Sequence, residues 1–190
     1  MMSPTEIAGF VLGVVMVLCS IRELHWSWPL AIASSLLYFL VFKDNLLYGE
    51  AGLQLVFVAL ALWGWWQWLR QGDEAHPALV IQRLSLRGWC FVALATVLLW
   101  PMLAVALQRF TDSDVAWWDA LPTALSLIGQ ALLGRKYIEN WLIWLVVNLI
   151  SVALFAYKGL WLTVLLYALF TLMSVWGWRA WQRRLNVSHP

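Results

Sequence analysis

The hexapeptide WGWWQW at residues 63–68 is followed 113 positions later by WGWRAW at residues 176–181. Both stretches end a long apolar run, and both keep Trp-Gly-Trp at the start and tryptophan at the end. A near copy at such a distance indicates an internal repeat longer than the hexapeptide itself. The expected fold therefore depends on what else recurs at a similar spacing.

The composition places the chain in a lipid bilayer. Of its 190 residues, 63% are hydrophobic and 12% charged, against roughly 45–50% and about 25% in soluble proteins. Such a chain has too few polar residues to cover a water-facing globule. The net charge of +2 is too small to indicate a nucleic-acid partner.

Seven apolar segments approach the length of about 17–25 residues that a helix needs to cross a bilayer. Lipid cannot satisfy a free backbone amide, so these segments must be helices. The sequence predicts an all-α membrane protein with seven transmembrane helices near 6–22, 26–42, 48–69, 88–110, 116–134, 139–157 and 160–182.

The hexapeptides belong to a larger repeat. At an offset of 113, Trp65 and Trp68 match Trp178 and Trp181. For the two preceding helices we expect an offset of 116, which pairs Trp28 with Trp144. These matches predict two parallel three-helix repeats joined by a linker helix, a three-plus-one-plus-three arrangement. The boundaries are 6–69 for the first repeat, 70–115 for the cytoplasmic loop and linker helix, and 116–183 for the second repeat.

The basic residues predict the orientation. With the N-terminus outside, nine of the twelve Lys and Arg residues fall on the cytoplasmic side and three outside. Lysine and arginine accumulate on the cytoplasmic side of membrane proteins. An odd number of helices then places the C-terminus in the cytoplasm.

The second repeat carries polar residues at helical spacing within its apolar segments. Parallel repeats are found in transporters whose substrate binds near the middle of the membrane. Amides there would hold hydroxyls or a carboxamide, and tryptophan faces would hold a flat, cationic ring. The candidate substrate-binding residues are Ser126, Gln130, Trp144, Asn148, Ser151, Tyr167, Ser174 and Trp178.

Structural interpretations compete with this site. Asn148 and Gln130 lie at similar predicted depths, so a hydrogen bond between packed helices would also explain them. An interfacial belt is the simpler interpretation for most of the sixteen tryptophans, including Trp68 and Trp181 at helix ends.

Other functional classes lack the residues that they need. The sequence has no G-x-x-x-x-G-K-[ST] loop for ATP, and Asp119 lies near the outer interface, too far from the midplane for a proton relay. The three histidines lie in turns or the tail, so we expect no enzyme, metal or cofactor. Passive transport is favoured over a purely structural membrane subunit.

The stretch RKYIENWLIWLVVNLISVALFAYKG at residues 135–159 resembles the PnuC family of bacterial vitamin-precursor transporters. WWDALPTALSLIGQ at residues 117–130 and the G-W-x-x-W helix ends strengthen the resemblance. The chain departs from it at Ala61 and Trp176, where some nicotinamide riboside carriers have asparagine.

The resemblance implies a fold related to the SWEET proteins and uptake of nicotinamide riboside across the bacterial inner membrane by facilitated diffusion. It also implies trapping by a cytoplasmic kinase, a homo-oligomer, and thiamine or riboflavin as alternative substrates. Carried over by matched position, it points to Gln130, Trp144, Asn148 and Trp178 as binding residues.

Overall fold

The computed structural model describes residues 4–44, 48–70, 79–110, 116–157, 159 and 161–188. Within these ranges the chain forms seven α-helices, as predicted. Outside the helices, an isolated parallel β-bridge joins Gln82 and Tyr137 in the described residues. The helices are α1 (Pro4–Ile21), α2 (Ser27–Asp44), α3 (Tyr48–Leu69), α4 (Leu86–Phe110), α5 (Ala116–Gly134), α6 (Asn140–Tyr157) and α7 (Trp161–Ser188).

Helix α7 is longer than its apolar segment. Its predicted end was residue 182, but the helix continues to Ser188 through Arg183 and Arg184. Both arginines are exposed. A hydropathy pattern identifies the part of a helix that lies in lipid and misses a polar turn that extends beyond it. The other predicted helix ends lie within two residues of the observed ones.

The chain divides into two compact units. The first, Met1–Leu79, holds α1 to α3, with α2 packed against both α1 and α3. The second, Val80–Pro190, holds α4 to α7, packed in the order α4, α5, α6 and α7. This division is consistent with the three-plus-one-plus-three arrangement, and α4 packs with the second set of three helices.

Four helical segments are long and apolar enough to cross a membrane, judged by length and composition over the described residues. They are Ala51–Leu69, Leu86–Phe110, Asn140–Tyr157 and Thr163–Asn186, and Phe10–Ile21 and Ser27–Leu40 are shorter apolar helical segments. Helix α5 is outside this set, yet it is the helix most covered by protein, with ten buried residues of nineteen. Because α4 and α6 cover it instead of lipid, α5 can carry more polar residues than its neighbours.

The turns after α1 and α5 have the same conformation. Glu23 and Lys136 have positive φ angles of 58° and 55°, which are uncommon outside glycine. In each turn this residue donates to the carbonyl three positions earlier, and the next N–H donates to the carbonyl five positions earlier. This is the Schellman motif, in which glycine is usual. Because Glu23 and Lys136 stand where glycine is usual, the sequence does not indicate the motif.

These matching turns correct the repeat alignment. Glu23 and Lys136 lie 113 positions apart, and the starts and ends of α2 and α6 are also 113 apart. The predicted offset of 116 for the first two helices is wrong, because Trp28 corresponds to Trp141 and not to Trp144. A single offset of 113 relates α1–α3 to α5–α7.

The segment before α4 is fixed to the turn between α5 and α6. The Gln82 N–H donates to the Lys136 carbonyl at 3.1 Å, and the Ile138 N–H donates to the Gln82 carbonyl at 2.9 Å. The Leu84 N–H donates to the Glu139 carboxylate at 2.9 Å. Ile138 and Glu139 are buried as a result. These bonds anchor the start of α6, the helix that carries Asn148.

A tryptophan packed on a glycine joins the second and third helices of each set. A Cβ built on Gly177 would lie 2.5 Å from the Trp141 ring, and one built on Gly64 would lie closer still to the Trp28 ring. Each ring also meets a second tryptophan edge-on, at a centroid distance of 5.6 Å for Trp181 and 5.4 Å in the first unit. We call these arrangements the Trp-Gly contacts.

The Trp-Gly contacts overturn the belt interpretation of Trp68 and Trp181. Their side chains are 4% and 0% exposed, so they are core residues of their units. Trp66 and Trp176, in contrast, are 48% and 50% exposed. The guanidinium of Arg70 lies 3.7 Å from the Trp66 ring centroid, an arrangement suited to an interfacial anchor.

Substitution of Gly177 by alanine tests the Trp-Gly contact. The new Cβ would overlap the Trp141 ring, and overpacking of this kind costs about 1–3 kcal/mol. The matched control is Gly52→Ala, because nothing lies within 4 Å of a Cβ at that exposed helical position. The control should gain about 0.5–1 kcal/mol from helix propensity. Thermal unfolding in detergent should separate the two variants, and a Gly177→Ala protein as stable as wild type would contradict the packing.

Candidate functional site

A buried pair of polar side chains joins α6 to α7 in the second unit. Asn148 and Ser174 are 5% and 3% exposed, and Asn148 Nδ2 donates to Ser174 Oγ at 3.1 Å. Ser174 Oγ in turn donates to the Phe170 carbonyl at 2.8 Å. The structure therefore brings two of the predicted site residues together and directs the Asn148 donor to α7.

The first unit has a different pair at the equivalent positions. The offset of 113 places Ser35 at the position of Asn148 and Ala61 at the position of Ser174. Ala61 is buried and has no side-chain hydrogen-bonding group. The amide and hydroxyl pair is thus a property of the second unit, which agrees with the expectation that polar recognition is concentrated there.

Trp144 lies at the contact between α5 and α6. A Cβ on Gly129 would be 3.3 Å from the indole ring, so the glycine lets the ring approach the α5 backbone closely. The ring also packs against an apolar cluster formed by Leu125, Ile128, Leu132, Ile143 and Val147. Gln130 follows Gly129 directly and is half-buried. The structure places Trp144 beside the part of α5 that carries Gln130.

Two serines of the predicted site occupy covered positions on α5 and α6. Ser126 Oγ donates to the Pro122 carbonyl at 2.7 Å, one turn earlier in the helix. Its single proton is therefore engaged, and the oxygen has only acceptor capacity for another group. Ser151 is buried on α6, one turn after Asn148.

Two aromatic residues of the predicted site lie at different levels of α7. The Tyr167 ring stacks on Phe155 of α6 at 5.2 Å and 19°, and meets Phe170 edge-on at 6.0 Å. Tyr167 is two turns before Ser174, about 10 Å along the helix, so it does not join the Asn148 pair. Trp178 is half-buried and lies one turn after Ser174.

Sequence reasoning missed a further pair of polar groups. Trp141 Nε1 and Asn140 Oδ1 are buried without a hydrogen-bond partner among the described residues. The first unit repeats this at Trp28 Nε1 and Ser27 Oγ, again 113 positions earlier. An offset of 113 applied to α2 would have aligned Ser27 with Asn140 and Trp28 with Trp141, whereas their burial is seen only in the structure.

Potential metal ligands are not clustered in the described part of the chain. Within those ranges no group of three or more His, Cys, Asp or Glu residues could hold a metal ion. The candidate site residues of the second unit carry amides, hydroxyls and aromatic rings.

Comparisons with known proteins identify the family of the chain. A sequence model described as nicotinamide mononucleotide transporter matches residues 3–183. The nicotinamide riboside transporter PnuC of Escherichia coli (strain K12) is 28% identical over 200 residues, which cover 93% of this chain and 84% of that protein. The riboflavin/roseoflavin transporter RibM of Streptomyces davaonensis is 32% identical over 187 residues, covering 95% and 85%.

A solved structure gives the same answer for the fold. The crystal structure of the vitamin B3 transporter PnuC matches with a TM-score of 0.71 at 25% identity, covering 92% of this chain and 79% of that one. These matches are to transporters and not to enzymes. The chain therefore belongs to the nicotinamide mononucleotide transporter family and is a multi-pass membrane transporter of a small vitamin precursor.

Proposed function

We propose that the protein takes up nicotinamide riboside by facilitated diffusion across the bacterial inner membrane. The observation that carries this proposal is the buried Asn148–Ser174 pair, with Trp144 nearby on the same helix as Asn148. A buried amide and an indole ring suit a substrate that combines hydrogen-bonding groups with a flat ring. The relatives named as nicotinamide riboside transporters support this substrate.

Nicotinamide riboside carries a cationic ring, a carboxamide and ribose hydroxyls. In the proposed site the ring stacks on Trp144 and Trp178, because a cation is attracted to the indole face. Gln130 and Asn148 hydrogen-bond to the carboxamide or the hydroxyls. Ser126, Ser151 and Ser174 shape the surroundings of the two amides in this proposal, and Tyr167 completes the set at a different level of α7.

Riboflavin is the second candidate substrate. The riboflavin/roseoflavin transporter RibM covers 95% of this chain at 32% identity, a higher identity than that of the Escherichia coli PnuC. Riboflavin also combines a flat ring with a row of hydroxyls, so the same amides and indoles could bind it. The two substrates differ in charge and in ring size, and measurement of the transport or binding of each compound distinguishes the two candidates.

The proposal of passive transport rests on the lack of sequence features that would couple transport to an energy source. The sequence has no phosphate-binding loop for ATP. Asp119 lies in the first turn of α5 and not at the middle of that helix. A carrier without coupling only equilibrates its substrate, and the proposal assigns accumulation above the external concentration to a cytoplasmic kinase that traps the transported substrate as a phosphate ester. A homo-oligomer of the chain is also part of the proposal.

The energetic claim is tested with purified protein in liposomes. Radiolabelled nicotinamide riboside should enter without ATP and stop at equal concentrations inside and outside. With the membrane potential held at zero, an imposed proton gradient should leave that end point unchanged, since the sequence places no carboxylate near the midplane of a predicted span. Protein-free liposomes and labelled riboflavin are the controls. Accumulation above the external concentration would contradict facilitated diffusion, and entry of neither compound would favour a structural membrane subunit.

The orientation is tested with reporters at the two ends of the chain. With nine basic residues inside and three outside, the positive-inside rule predicts an external N-terminus and a cytoplasmic C-terminus. A fluorescent protein fused after Pro190 should therefore fluoresce, and alkaline phosphatase fused before the first residue should be active in the periplasm. Both ends on one side of the membrane would be incompatible with seven spans.

A further inference from the structure

The Ser174 hydroxyl fixes which end of the Asn148 amide faces it. A serine hydroxyl has one proton, and in Ser174 that proton goes to the Phe170 carbonyl at 2.8 Å. The Ser174 oxygen can then only accept, and it accepts from Asn148 Nδ2 at 3.1 Å. The reverse amide orientation would set Oδ1 against the lone pairs of the hydroxyl. The two hydrogen bonds, from Asn148 to Ser174 and from Ser174 to the Phe170 carbonyl, thus have a fixed donor-to-acceptor direction.

The direction of these two hydrogen bonds determines which polar atoms of the Asn148 amide can bind another molecule. An asparagine amide has two N–H donors and an oxygen with two lone pairs. With one donor engaged by Ser174, the oxygen lies on the opposite side of the amide group. Both side chains are almost fully buried, so water cannot readily replace a missing partner, and reorienting the amide would break its bond to α7.

We propose that Ser174 is a positioning residue that holds the Asn148 amide so that Oδ1 accepts a hydrogen bond from the substrate. The substrate must then present a donor, a hydroxyl or a carboxamide N–H, at this point. This inference rests on the proposed transport function and revises the expectation that Ser174 itself contacts the substrate. Ala61, at the equivalent position of the first unit, has no hydroxyl that could orient a neighbour in this way.

The chain offers a matched control for the hydroxyl. Thr171 lies on α7 and donates from Oγ1 to the Tyr167 carbonyl at 2.8 Å, the same backbone bond one turn earlier in the helix. Thr171→Val removes a hydroxyl with this bond from the same helix at almost constant volume. Its effect measures what the loss of such a bond does to α7 without disturbing the bond between Asn148 and Ser174.

The decisive experiment is a double-mutant cycle on binding of nicotinamide riboside to the purified full chain. Asn148→Leu should weaken binding about 5- to 150-fold, because a substrate donor loses its acceptor. Ser174→Ala should weaken it about two- to tenfold, because the amide is no longer held. The double variant should bind no more weakly than Asn148→Leu alone, since Ser174 acts through Asn148. Thr171→Val should bind as wild type, and Ser174→Thr should restore most of the affinity.

Asn148→Asp gives an independent reading of the amide orientation. A carboxyl group keeps an acceptor for the substrate and lacks the amide donors, so this variant should bind within about fivefold of wild type if Oδ1 is the contact. Thermal unfolding without ligand identifies variants that fail to fold. The binding affinities are then compared among the variants that fold, and this comparison tests the positioning role of Ser174.

The outcomes separate the two proposals. Losses that multiply in the double variant would show that Ser174 contacts the substrate by itself, and would overturn the positioning role. Asn148→Asp as weak as Asn148→Leu in a folded protein would overturn the assignment of Oδ1. Failure of the wild-type chain to bind either nicotinamide riboside or riboflavin would instead refute the proposed function, and this inference with it.

Discussion

Hydrogen-bond satisfaction in a hydrocarbon environment is the constraint on which the rest of this structure depends. Because lipid offers no partner to a backbone amide, the chain crosses the membrane as helices. The same constraint acts on the side chains, where Ser126, Thr171 and Ser174 donate to carbonyls one turn earlier in their own helices. It acts also on the turn after α5, whose exposed backbone groups are met by Gln82. Asn148 finds its partner on another helix, and its bond to Ser174 makes this packing contact a candidate recognition site.

The two units solve one packing problem in the same way and then diverge. In both, a tryptophan of the second helix lies on a glycine of the third and meets a further tryptophan edge-on. This contact depends only on the fit between a ring and a glycine, and it is found in both units at positions 113 residues apart. The polar pair needs particular chemistry and is found at Asn148 and Ser174, with Ser35 and Ala61 at the equivalent positions of the first unit. A transporter built from two similar halves can thus keep one scaffold and place its selective contacts in one of them.

Much of the fold could be predicted from the sequence, because long apolar runs in a bilayer protein must be helical. The extension of α7 could not be predicted in this way, since its last turns are polar. The repeat offset of the first two helices was wrong because Glu23 and Lys136 share a backbone conformation that their side chains do not reveal. Burial of Trp68 and Trp181 was also missed, since composition cannot tell a ring that faces lipid from one that faces protein. Helical spacing predicted Asn148 and Ser174 as candidate site residues, but it could not show that they bond to each other.

The central claim is that the second unit recognises a ribosylated flat vitamin through the buried Asn148 amide, the half-buried Gln130 amide and indole rings. The most direct measurement is a titration of the purified wild-type chain with nicotinamide riboside, riboflavin and thiamine, followed by calorimetry. Saturable binding of nicotinamide riboside, with weaker binding of the other two compounds, is the result that the account predicts. Absence of saturable binding for all three compounds, in protein shown to be folded by its thermal transition, would contradict it.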